Sequence, residues 1–284
     1  LGKNYRREPA HPMADFSHDT PPETPSTFQL TRFEERCLQL ATKGSSNRSR
    51  HCFRSAYIHL RKAHLIADVD PAMAAFRALT AEEEAASGLM YCLKERGYEM
   101  ADLLRPTDHR WKNGVIPFIS ALGLFFHEIF GDRVQAKVLF QPAQDDEPEH
   151  LGLGIPMVVD GEEVLLRPLP PLNFLASVNG ELPPSYLAQL EKVASSSGRE
   201  NIRRYIAEEA NTRNRLLYAS ATGVPEVTSI GEDFYRKRRR NVLVLLGAYL
   251  FIQPYQEIQP FVQASLKAFV QMMGQEVDGL HPTV

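Results

Sequence analysis

Apolar side chains recur every three or four positions over most of the chain, the spacing of helices that bury one face. A first helix is expected over Phe28–Ala41, capped by Ser26 or Thr27, and Lys43-Gly44-Ser45-Ser46 breaks it. A second spans Asn47–Asp68, with Phe53, Ala56, Leu60, Ala63 and Ala67 as its apolar stripe. Asp70-Pro71 opens a third, because Asp caps a helix start and Pro suits its first turn. It should reach about Arg96 and stop at Gly97. A fourth begins at Thr107 or Asp108 and runs to Phe130, kinked by Pro117. Later helices are expected over Pro183–Val193, Arg199–Thr222 (ending at Gly223), Gly231–Ile252 and Gln259–Met273.

Between these two helical stretches the period changes. Val138–Phe140 reads as a short strand, and Gln144–His150 as an acidic loop. Ile155–Val159 and Val164–Arg167 flank Asp160-Gly161, a favoured hairpin turn, and Pro168, Pro170 and Pro171 end the hairpin. The fold class is therefore mainly α, a helical bundle with a small β-hairpin insertion. The divisions are a disordered leader (1–25), a helical half (26–135), the β-containing insertion (136–180) and a second helical half that completes the bundle (181–284). The leader is rich in Pro, His, Asp and Thr. The chain opens on Leu1 and its first methionine is Met13, so both are candidate starts.

Composition narrows the class. The 284 residues are 43% hydrophobic and 24% charged, enough for a sizeable core. A formal net charge of −3 gives no bulk attraction to nucleic acid or anionic membrane, so such binding would need a local patch. Cys37, Cys52 and Cys92 are odd in number and lack CxxC spacing, which argues against a disulfide framework or structural zinc and for a reducing, cytoplasmic setting. The longest apolar run, Val242–Ile252, is too short to span a membrane. HExxH, EF-hand, P-loop, Rossmann and GxSxG patterns are missing, so no metal or cofactor is expected.

Polar residues on apolar stripes are the informative exceptions. Phe76, Leu79, Glu83, Ala86, Met90 and Leu93 share a face of the third helix, with Glu83 at its centre. A carboxylate there must be paired, protonated, or half-exposed at the stripe's edge; Glu82 and Glu84 should point elsewhere. His109 and Lys112 sit at the start of the fourth helix on its core side, a place suited to phosphate or to an ordinary polar entrance. Ile202, Ile206, Glu209, Arg213 and Leu216 form one face of a later helix, with Asn214 and Tyr218 alongside. An ion pair between helices, from Glu83 to Arg213, is one reading; a pair from Glu209 to Arg213 along one helix is the other. Arg54 and His59 fit an arginine–histidine spacing but lie about 140° apart around a helix. The run Arg236-Lys237-Arg238-Arg239-Arg240 is either a nucleic-acid dock, with Arg238 and Arg239 as binders, or a solvated helix entrance.

Three stretches carry a family resemblance: HLRKAHLIADV (59–69), AFRALTAEEEAASGLMYCLKERGY (75–98) and DHRWKNGV (108–115). The segment from about Ser55 to Lys112 resembles the HEPN superfamily, and within it the AbiV-like abortive-infection branch. Glu83 and Glu84 match that branch's paired acids, and His109 and Lys112 its later pair. The lysine that commonly follows the acids is absent; Ser87 or Gly88 stands there. RNRLLY at Arg213–Tyr218 is similar to the later part of the pattern, with Tyr218 in place of a histidine. The resemblance implies a HEPN-like bundle, a homodimer, an RNA partner, a role in prokaryotic defence or as a toxin, and metal-independent RNA cleavage. In that scheme Arg213 stabilises phosphate charge, Asn214 orients it, Tyr218 or His109 handles protons, and Glu83 holds the arginine. Lys112, Arg54, His59, Arg238 and Arg239 are the binding candidates. The alternative is a non-catalytic interaction or regulatory module, its partner unknown, whose buried ion pairs are structural.

Overall fold

The computed structural model describes residues 28–43, 47–130, 136–142, 149–159, 161–174, 186–196, 198, 200–218 and 227–274. The leader, the break at 44–46, most of the acidic loop, Asp160, Pro183 and the helix end expected at Gly223 lie outside them.

Helix α1 (Arg32–Thr42) starts one turn later than its apolar pattern suggests. Its cap is Thr31, not Ser26 or Thr27. Thr31 and Glu34 form a capping box: the Thr31 hydroxyl accepts from the Glu34 N–H (3.2 Å), and the Glu34 carboxylate accepts from the Thr31 N–H (2.7 Å). Helix α2 (Arg48–Leu65) is capped by Asn47, whose side chain accepts from the Arg50 N–H. Helix α3 (Pro71–Glu95) begins as its residues direct, with Asp70 accepting from the Met73 N–H and Pro71 in the first turn. It ends at Gly97, whose φ of +72° lets the Tyr98 N–H reach the Leu93 carbonyl and the Gly97 N–H that of Lys94.

Small residues Ala74, Ala78, Ala81, Ala85, Gly88 and Cys92 form one stripe of α3, all buried. At Gly88 the neighbouring α2 comes so close that a Cβ would sit 2.8 Å from the Phe53 ring and 3.1 Å from the Ser49 carbonyl. Helix α4 (His109–Phe130) carries Pro117 within it. Helices α5 (Leu187–Ser196), α6 (Ile202–Leu217), α7 (Glu232–Ile252) and α8 (Pro260–Met272) complete the helical elements among the described residues. Helix α3 packs against α2, α4, α6 and α7, and one apolar core draws on both helical halves.

Strands β1 (Lys137–Gln141), β2 (His150–Val159) and β3 (Glu162–Leu166) form an antiparallel sheet in the order β1-β2-β3. The hairpin expected around Asp160-Gly161 is β2–β3, with Met157 opposite Val164. Strand β2 starts earlier than expected because Gly152 and Gly154 interrupt the apolar pattern without interrupting the pairing. A Cβ on Gly154 would meet Leu139 and Leu165, so those leucines occupy the space its missing side chain leaves. No helix among the described residues is long and apolar enough to cross a membrane.

Candidate functional site

The three consecutive glutamates of α3 lie on different sides of the helix, because successive residues are about 100° apart. Glu82, expected to point away from the core, is buried against α7. Its Oε2 accepts from Arg238 Nη1 (3.0 Å) and Asn241 Nδ2 (2.9 Å). Arg238 also reaches Glu209 of α6 (3.3 Å). Burial works against the Arg238 charge, but the two carboxylates outweigh it and hold the guanidinium above its ordinary pKa.

Glu83 turns toward α4. Its Oε2 lies 2.8 Å from His109 Nδ1 and 3.0 Å from Lys112 Nζ, and Asn113 donates to its other oxygen at 3.3 Å. Glu83 and Lys112 are both buried, while the His109 side chain is 46% exposed. One carboxylate thus neutralises a buried ammonium and orients an imidazole that reaches solvent. The start of α4 is fixed from below: the Ser87 hydroxyl donates at 2.8 Å to the Pro106 carbonyl, and Trp111 packs edge-on to Phe269.

Glu84 faces a third direction, into a cleft of about 500 Å³ between α2, α3 and the loop before α4. His109 and Lys112 are on its wall together with Arg48, His51 and Tyr91. The Arg48 guanidinium lies 4.2 Å from the centre of the Tyr91 ring. Cys52 also lines the cleft, and burial pushes its thiol up to about 11, so it is protonated at neutral pH. Arg48, His51, His109 and Lys112 are thus set against two carboxylates, Glu84 in the cleft and Glu83 behind its wall.

The structure brings together Glu83, His109 and Lys112 from the candidate set. The others lie elsewhere. Arg54 is exposed on α2 and His59 half-buried; neither lines the cleft. Burial first, then Arg77 and Lys62, lower the His59 pKa, so it is a poor phosphate ligand at neutral pH. Arg238 and Arg239, read from sequence as nucleic-acid binders or as part of a solvated entrance, are tied inward. Arg238 is in the buried network, and Arg239 Nε donates to Glu34 at 2.6 Å. Burial raises the Glu34 pKa, but hydrogen bonds from Arg239 and Thr31 outweigh it and leave the carboxyl below its ordinary value. Tyr218, at the end of α6, is 66% exposed and off the cleft wall. The side chains of Arg213 and Asn214 lie outside the described residues. Glu209 of α6 pairs with Arg238 of α7, and the expected Glu209–Arg213 pair lies outside the described residues.

Arg48, His51 and Tyr91 escaped the sequence reading. A signal for them was present: Arg48, His51, Cys52 and Ser55 recur at helical spacing, as do Glu84, Ser87 and Tyr91. Two such polar stripes on helices that pack closely outline a cleft. No family model, curated protein or solved structure matches the chain.

Proposed function

We propose that this cleft binds single-stranded RNA and cleaves it by acid–base transesterification, as a HEPN-like, AbiV-like defence or toxin protein would. The observation that carries the reading is the Glu83–His109 contact at 2.8 Å on the wall of a cation-lined cleft. A carboxylate that fixes one imidazole nitrogen sets the ring's orientation and leaves the other nitrogen for proton transfer. In the reaction His109 takes the 2′-hydroxyl proton as the 2′-oxygen bonds to phosphorus. The bond from phosphorus to the 5′-oxygen breaks, and His51 supplies that oxygen's proton. A 2′,3′-cyclic phosphate and a 5′-hydroxyl result. Arg48 and Lys112 stabilise the phosphoryl charge. Relative to the sequence-based scheme, these residues take the roles assigned to Arg213, Asn214 and Tyr218. A homodimer and a cytoplasmic location accompany this reading.

Fluorescence anisotropy with a labelled RNA oligonucleotide tests it. Wild-type protein should bind with a salt dependence that Arg48→Gln reduces by about 0.7 in slope, the value for one phosphate contact on a single strand. Arg213→Ala, measured beside it, should leave the slope unchanged. Equal slopes for wild type and Arg48→Gln, or no binding by either, would reject the RNA reading. The Glu82–Arg238–Glu209 network favours the second reading, a non-catalytic interaction module. It lies away from the cleft wall and ties Arg238 of α7 to both α3 and α6, as a structural ion-pair cluster does.

A further inference from the structure

We infer that a second cavity, between α4, α7 and α8, takes the hydrocarbon chain of a fatty carboxylate whose head group meets Lys237 and Arg240. The cavity measures about 370 Å³, and its walls include Leu93, Val115, Phe118, Phe126, Phe261 and Phe269. No charged side chain lines it, and Ser265 is its one hydroxyl-bearing residue among the described residues. The space is half-open to solvent, and water is poorly held against walls without polar partners. This volume lies at the low end of ligand sites, roughly 300–1,000 Å³. That suits one chain rather than a two-chain lipid.

The mouth is marked by exposure. Most of the wall is buried or half-buried, whereas Val244 (41% exposed) and Gly123 are open to solvent. On α7 the cavity-lining residues Val244, Ala248 and Phe251 share a helical stripe with Lys237 and Arg240, at intervals of three and four. These two cations are exposed, and among the described residues neither makes an ion pair. The rest of the basic run is engaged: Arg236 with Asp233, Arg238 with Glu82 and Glu209, Arg239 with Glu34. Among the described residues, the two cations of this run that make no ion pair are thus the two on the stripe that leads into the cavity. An apolar chamber with positive charge beside its mouth matches a single-chain anionic amphiphile.

Isothermal titration calorimetry of the full chain with dodecanoate, below its micelle-forming concentration, tests the inference. Wild-type protein should bind one dodecanoate, at least tenfold tighter than dodecanol. Lys237→Gln/Arg240→Gln should weaken dodecanoate tenfold or more and leave dodecanol unchanged. Gly123→Phe should abolish binding of both. Nothing lies within 4 Å of a Cβ at that position, and a thermal melt establishes that the variant is folded. Absence of one-to-one dodecanoate binding by folded wild type, equal affinity for the two probes, or undiminished binding by Gly123→Phe would overturn it. The site is independent of the RNA cleft, so either can fail alone.

Discussion

Glu82, Glu83 and Glu84 follow one another in sequence, yet their carboxylates serve α7, α4 and the cleft. Sequence periodicity identifies Glu83, His109 and Lys112 as polar residues on core-facing stripes. It does not identify their partners, because pairing depends on which helices are neighbours. For the same reason the burial of Arg238 cannot be read from a run of five basic residues: only the packing of α3 against α7 selects it. The cysteines extend the residue-scale argument. Burial first pushes Cys37 and Cys92 up to about 12, and Cys52 to about 11, from an ordinary 9.0. Each proton is held more tightly in the folded than in the unfolded chain. That stabilisation is complete below the unfolded value and is lost as pH rises from 9.0 through 11 and 12. Thermal melts should therefore show a Tm falling steadily above about pH 9, with Cys37→Ala/Cys92→Ala flattening the fall. A Tm independent of pH in that range would contradict it.

Most helices were legible because their apolar pattern persists for several turns and is bounded by Asp-Pro, Asn or Gly. The cap of α1 was missed because the capping box of Thr31 and Glu34 lies inside the apolar pattern rather than before it. Strand β1 is half legible: a short apolar run at 138–140 is visible, its pairing with the glycine-containing half of β2 is not. The close approach of α2 and α3 makes a test at this scale. Gly88→Ala gains helix propensity, but its methyl would press on the buried Phe53 ring and a backbone carbonyl, and the overlap should win by about 1–3 kcal/mol. Gly123→Ala, with open space around the new methyl, should instead stabilise by about 0.5–1 kcal/mol. Urea unfolding midpoints decide both signs. A Gly88→Ala protein as stable as wild type would mean that the two helices are further apart than 2.8 Å of Cβ-to-ring separation allows.

For the whole molecule, one apolar core draws on helices from both ends of the chain, with the sheet packed beside α7. The polar cleft lies along α2 and α3 at the start of α4, and the apolar cavity lies between the body of α4, α7 and α8. Helix α4 therefore borders both. It presents His109 and Lys112 to one and Val115, Phe118 and Phe126 to the other. In the proposed reaction Glu83 holds His109 for proton transfer at an RNA phosphodiester. Mass spectrometry of the products after incubation with a synthetic single-stranded RNA in excess EDTA tests it most directly. Wild-type protein should release 2′,3′-cyclic phosphate ends, and folded His109→Gln should do so at least a hundredfold more slowly, as loss of a general base implies. Intact RNA with wild type, or the same rate with His109→Gln, would contradict it.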